Sequence, residues 1–237
     1  MEEVRQKHGT FYDFTEVILD NQTDFMESKR VDRLIKIAKF PFHKTLDDFD
    51  FSYPDKIDQT LINELASCRF IKQNKHVLIM GPVGVGKTHI AIGLGYKAIY
   101  HGCDVLCLTF EQIIQLANKT IDSTSDRYRQ LTNLARTKLL IFDDIEYNKD
   151  IKEHRERMAQ FSEDASDFLY TLIKKRYEST TSGATIFTFN QAFIGWDRIF
   201  GSEARAEKLI DRILDHTRRC IVKIEGDSYR SKGTLIV

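Results

Sequence analysis

One contiguous run in the chain has the residue types and spacing to hold phosphate. Gly81-Pro82-Val83-Gly84-Val85-Gly86-Lys87-Thr88 fits G-x-x-x-x-G-K-[ST] in full. Glycines let successive backbone N–H groups turn inward around phosphate oxygens, and a following helix N-terminus adds positive potential. Lys87 is placed to reach the β- and γ-phosphates, and the Thr88 hydroxyl to ligate Mg²⁺. Average residue usage produces such a match in roughly one chain in a hundred of this size. Here the run also follows an apolar stretch and opens a helical pattern, as the mechanism requires.

A phosphate cradle needs a metal anchor on a nearby strand. Leu139-Leu140-Ile141-Phe142-Asp143-Asp144 supplies four apolar residues ending in two carboxylates. The carboxyl edge of an open α/β sheet is where ligands bind. Asp143 is the expected Mg²⁺ anchor, acting through water, and Asp144 the group that orients or activates the attacking water. Asn190 ends a further apolar run, where it can position that water or meet the γ-phosphate; alone, an Asn there is an ordinary turn former.

The elements that must carry these residues are legible in the pattern. Residues 1–40 read as helical, with Val31, Leu34, Ile35 and Ala38 on one face and Pro41 as the stop. From residue 76 strands alternate with helices. Strands are expected at 76–80, 105–110, 138–144, 184–190 and 221–225, and helices at 87–101, 109–118, after 119–130, after Ser162 and at 203–216. Thr109 and Gln112 have the spacing of a capping box. This is α/β: a parallel sheet flanked by helices, of the P-loop NTPase kind. The boundaries drawn are 1–70 for a helical N-terminal region and linker and 71–237 for the ATPase domain.

Composition excludes several classes. With 237 residues the chain is long enough for a core without disulfides, and 42% hydrophobic with 30% charged is ordinary for a globular protein. Lys+Arg and Asp+Glu are both 35, which excludes a histone-like chain and leaves only local basic stripes to meet nucleic acid. Cys68, Cys103, Cys107 and Cys220 form no C-x-x-C pair, so neither zinc nor disulfides are expected. With no signal-peptide pattern and no membrane-length apolar stretch, a cytoplasmic location is expected.

Several segments together resemble the IstB-like helper ATPases of bacterial insertion sequences, in the initiator/helicase-loader branch of AAA+ proteins that includes DnaC. They are 40–51 with its Phe49-Asp50-Phe51, 65–70, 81–95, 139–147, 175–178, Trp196 with Phe200-Gly201, and 211–216 through Gly226-Asp227-Ser228-Tyr229-Arg230. The resemblance implies an ATPase dependent on Mg²⁺ that binds DNA, assembles into oligomers, and regulates or activates a transposase. It makes Asn190 the sensor of the γ-phosphate. Arg212 becomes the finger donated into a neighbour's site, with Lys208 and Arg205 as rivals. Some features depart from the family. Residues 148–161 form a longer connection than usual, Asp144 stands where many AAA+ proteins have Glu, the N-terminal helical region looks shorter than usual, and no C-terminal helical lid is evident. Arg230 is the nearest candidate for the lid's arginine. The alternatives are a helicase loader of the DnaC type, a small-molecule P-loop kinase, and a binding module that uses ATP as structural glue. Three basic segments are candidates for sequence-independent contacts to DNA phosphates. They are Lys29, Arg30, Arg33, Lys36 and Lys39; then Lys119, Arg127 and Arg129, the preferred set; and Arg218, Arg219, Lys223, Arg230 and Lys232.

Overall fold

The computed structural model describes residues 11–145, 163–179, 183–190, 193, 195–217 and 220–229. Residues 148–161, Ser162, Arg218, Arg219, Arg230 and Lys232 lie outside the described residues.

Six strands form one sheet: β1 (Lys56–Ile57), β2 (Val77–Met80), β3 (Val105–Thr109), β4 (Leu139–Asp143), β5 (Ala184–Phe189) and β6 (Ile221–Glu225), in the order β1-β6-β2-β5-β4-β3. β2 to β6 run parallel and β1 pairs antiparallel with β6, so the sheet is mixed at this edge. β4 and β5 are buried at every position and read as continuous apolar runs, as strands covered on both faces do.

Strand alternation sorts these residues between two cores. Val77, Ile79, Val105, Cys107, Leu139, Ile141, Ala184 and Ile186 face the first, with α4 (Lys87–Tyr100). α1 (Phe11–Ala38), α2 (Gln59–Ala66) and the short α3 (Arg69–Lys72) add Ala38, Ile62, Leu65, Phe70 and Ile71 to it. Leu78, Leu140, Phe142, Phe187 and Phe189 face the second. α5 (Phe110–Lys119), α6 (Thr124–Arg136), α7 (Glu163–Glu178), α8 (Trp196–Ile199) and α9 (Glu203–Thr217) cover that face. α1 also packs beside β3 and so shields an edge of the sheet.

Local signals explain most boundaries. α5 opens on a capping box, in which Gln112 N donates to Thr109 Oγ1 at 3.3 Å and Thr109 N to Gln112 Oε1 at 3.0 Å. α6 begins after Ser123, whose hydroxyl accepts from Asp126 N. Ala165, Phe168, Leu169, Leu172 and Ile173, the apolar face expected for α7, are all buried. β1, α2, α3 and α8 were not foreseen. β1 has two residues, and α3 and α8 four each, too short to show a period. No helix among the described residues is long and apolar enough to cross a membrane.

At the base of the sheet, opposite the strand ends that carry the carboxylates, Arg176 is 1% exposed and hydrogen-bonded throughout. Its guanidinium donates to the carbonyls of Leu134, Ala135 and Thr137 at the end of α6. It also donates to Ala184 O and Thr185 Oγ1 on β5. Beside it His76 is buried and neutral: burial, then the charge of Arg176, then His216, lower its pKa to about 3. Its Nδ1 accepts from Thr185 N at 3.3 Å.

Candidate nucleotide-binding site

The loop between β2 and α4 turns through Gly84 and Gly86, both left-handed with φ of +84° and +96°. That conformation strains any residue with a Cβ. α4 starts at Lys87 without a side-chain cap, whereas α2, α5 and α6 are capped by Asp58, Thr109 and Ser123. Its first amides are therefore left for an anion to satisfy. The Lys87 ammonium donates to Gly81 O at 2.9 Å, Pro82 O at 2.7 Å and Asn190 Oδ1 at 2.5 Å. The loop thus holds its cation at the mouth of the cradle, and β5 contributes a ligand to it.

The strand order explains how Asn190 comes to be there. β5 lies between β2, which feeds the loop, and β4, which ends in the acids. Ala184, Ile186, Thr188 and Asn190 alternate onto the α4 side, and so do Leu139, Ile141 and Asp143. Thr88 Oγ1 donates to Asp143 Oδ1 at 2.8 Å, with Oδ2 at 3.1 Å, and Thr188 Oγ1 donates to Oδ1 at 2.6 Å. Asp143 is only 8% exposed. Burial raises its pKa, while the hydroxyls of Thr188 and Thr88 pull it back down. Asp144 follows with a left-handed φ of 59°, and its N–H donates to Thr188 Oγ1 at 2.9 Å.

Lys87, Thr88, Asp143, Asp144 and Asn190 therefore converge. No group of three or more His, Cys, Asp or Glu that could hold a metal exists among the described residues. A hydroxyl beside a single buried carboxylate suits Mg²⁺, which keeps several waters and takes further oxygens from phosphates.

Two segments distant in sequence cover the outside of the loop. Tyr229 N donates to Gly84 O at 3.0 Å, and Tyr53 Oη donates to Ser228 O at 2.9 Å. A Cβ on Gly84 would collide with Ser228 Oγ. The Phe49 ring lies so close to Gly86 that a Cβ there would approach it to 2.5 Å. Thr188 and this cover escaped the reading of single motifs. The signal for Thr188 was the alternation from Ile186 through it to Asn190.

Arg212 is not part of this constellation. It sits near the end of α9 that leads into β6, at the base of the sheet. There its side chain is 15% exposed, its guanidinium lies over the Tyr177 ring and 4.0 Å from Glu178, and Nη1 is buried with no hydrogen-bond partner among the described residues. Arg205 is paired with Asp167 at 2.5 Å, and Lys208 is exposed. Of the basic segments, Lys29, Arg30, Arg33 and Lys36 on α1 and Lys39 just after it are all exposed. Arg127 instead donates to Asp164 O at 2.7 Å, and Arg129 pairs with Asp126 at 2.7 Å. Lys119 and Lys223 are exposed.

Comparison with known proteins accords with this geometry. The family described as "IstB-like ATP binding protein" matches residues 2–235. The "Insertion sequence IS21 putative ATP-binding protein" of Pseudomonas aeruginosa is 32% identical over 98% of this chain and 81% of its own length. The corresponding IS5376 protein of Geobacillus stearothermophilus is 29% identical over 97% and 85%. Among solved structures, the DnaC helicase loader superposes with a TM-score of 0.55 at 19% identity, covering 79% of this chain and 100% of that one. AMPPCP-bound DnaA of Aquifex aeolicus gives 0.57 at 18%, covering 82% and 54%. These likenesses establish the AAA+ P-loop fold. The matched family model spans nearly the whole chain, and the phosphate loop and strand-end acids lie in place within it: this chain belongs to the IstB-like ATP-binding proteins.

Proposed function

We propose that this protein is an Mg²⁺-dependent ATPase that assembles on DNA and regulates a transposase during DNA transposition. The observation that carries the reading is the convergence of Lys87, Thr88, Asp143, Asp144 and Asn190 at one edge of the sheet. The transposition setting draws on the relatives, whose names place them in insertion sequences.

In this reading the backbone of residues 81–88 cradles the phosphates and Lys87 offsets their charge. Thr88 and Asp143 would hold Mg²⁺, which would supply charge neutralisation for the phosphates. Asp144 orients the attacking water, and Asn190 reports the γ-phosphate to β5. Arg212 packs against Tyr177 and Glu178 at the end of α7 rather than beside the phosphate loop, so in this reading it acts on a neighbour. Its 4.0 Å approach to Glu178 is looser than the Arg205–Asp167 pair, while its guanidinium also lies over the Tyr177 ring. A cation donated in trans makes turnover depend on assembly. For DNA, Lys29, Arg33 and Lys36 of α1 now outrank the 119–129 segment, since Arg127 and Arg129 already have partners, as Arg30 has in Glu27 and Gly102 O.

The test uses Asp144→Asn and Arg212→Ala proteins, alone and mixed. Each is expected to bind ATP and hydrolyse it poorly. Mixing should restore part of the activity, because some interfaces pair an intact finger with an intact acid. No rescue in verified mixed assemblies would remove Arg212 from the mechanism and leave exposed Lys208 in its place.

A further inference from the structure

We infer that Thr188 is a positioning residue for ATP hydrolysis, setting both strand-end carboxylates through one hydroxyl. This rests on the reading of the site as an ATPase. Thr188 is 1% exposed and follows Ala184 and Ile186 on the core face of β5. Packing alone asks for valine there, which has the same shape. A buried hydroxyl is tolerated only with partners, so its partners indicate its role.

Those partners fix its orientation. A carboxylate only accepts and a backbone N–H only donates. The single Thr188 proton therefore goes to Asp143 Oδ1 at 2.6 Å, and its lone pair receives Asp144 N–H at 2.9 Å. The Thr188 carbonyl also accepts from Ile145 N at 3.2 Å. The two amides after Asp143 are thus both held by this residue.

The consequence differs for the two acids. Asp143 Oδ1 is shared between Thr88 on α4 and Thr188 on β5, so the carboxylate is braced from both sides. Asp144 has left β4 in a left-handed conformation of φ 59°, which a non-glycine residue keeps only when its surroundings enforce it. The Thr188 hydroxyl holds the Asp144 amide in it. Two residues on, along the same face, Asn190 holds Lys87 at 2.5 Å. A slide of β5 would therefore move the sensor and both acids together.

The experiment compares full-length wild type, Thr188→Val and Thr188→Ser. ATP turnover is measured alongside calorimetric ATP binding with EDTA and with Mg²⁺. Loss of the hydroxyl is expected to lower kcat roughly 10- to 100-fold, the range for a hydrogen bond to a charged group. KM should rise only in step with the weaker Mg²⁺-ATP binding, the larger loss falling on kcat. In EDTA the Val variant should bind ATP like wild type, but the tightening produced by Mg²⁺ should shrink. Ser, which keeps the hydroxyl, should recover both turnover and the Mg²⁺ effect. Thr188→Ala is read the same way should the Val variant not fold. Wild-type turnover and an unchanged Mg²⁺ effect in Val would overturn the inference. So would equal losses in Val and Ser, which would mark a role in packing. If wild type itself does not hydrolyse ATP, the ATPase reading fails, and the Mg²⁺ effect on binding still decides for or against Thr188.

Discussion

Acid should weaken this fold most strongly through the imidazole of His76, at the base of the strand that feeds the phosphate loop. His76 is 2% exposed and surrounded by Arg176, His216 and Phe187. Its pKa is about 3 when folded, against 6.5 for an unperturbed histidine. Between those values the unfolded chain binds a proton that the folded chain refuses, so stability falls as pH drops through 6.5 towards 3. The slope approaches about 1.4 kcal/mol per pH unit, so the loss between about pH 7.5 and 4.5 is on the order of 2–3 kcal/mol. For a chain of this size that lowers Tm by roughly 5–10 °C. Asp143 works in the opposite direction. Its raised pKa means that its burial penalty eases as pH falls through that value. Chemical denaturation of wild type and His76→Gln at a series of pH values isolates this histidine, because Asp143 and His89, whose pKa burial also lowers, cancel in the difference. The variant is expected to lose one proton's worth of slope, whatever its stability at neutral pH. Parallel curves for the two proteins would refute the assignment of a neutral, proton-refusing His76.

Other outcomes follow from the same geometry. Arg176→Lys should lower stability by ~3–5 kcal/mol, since one ammonium cannot serve the five acceptors that the guanidinium fork reaches; thermal melts check this. Neutralising Lys29, Arg33 and Lys36 should weaken DNA binding and reduce the slope of log affinity against log salt by about 2–3. Arg127→Gln should instead lower stability and leave that slope unchanged, because its guanidinium ties α6 to α7 through Asp164 O. Titrations by fluorescence anisotropy at several salt concentrations separate the two.

The phosphate loop and strand-end acids were legible because each is a local signal at a strand's carboxyl end. The long elements were legible for a similar reason: 184–190 and 221–225 are unbroken apolar or alternating runs, and 203–216 repeats at helical spacing. What escaped was set by tertiary context. β1 is a strand only because Lys56 and Ile57 meet Glu225 and Ile224 across the sheet edge. Thr188 matters because β5 is inserted between β2 and β4, an order that no local window contains. The contact of Ser228 and Tyr229 with Gly84 joins segments more than a hundred residues apart, and nothing in either predicts the other. Arg127 looked like a free cation in the sequence, yet it is committed to a carbonyl on α7.

The central claim is that residues 81–88 form a working phosphate cradle whose charge is supplied by Lys87. Calorimetric titration of Mg²⁺-ATP into wild type and Lys87→Ala tests it most directly, with circular dichroism confirming that both proteins are folded. The account predicts a saturable isotherm with one ATP per chain for wild type and no measurable binding for the variant. Equal affinity in the two proteins would contradict it.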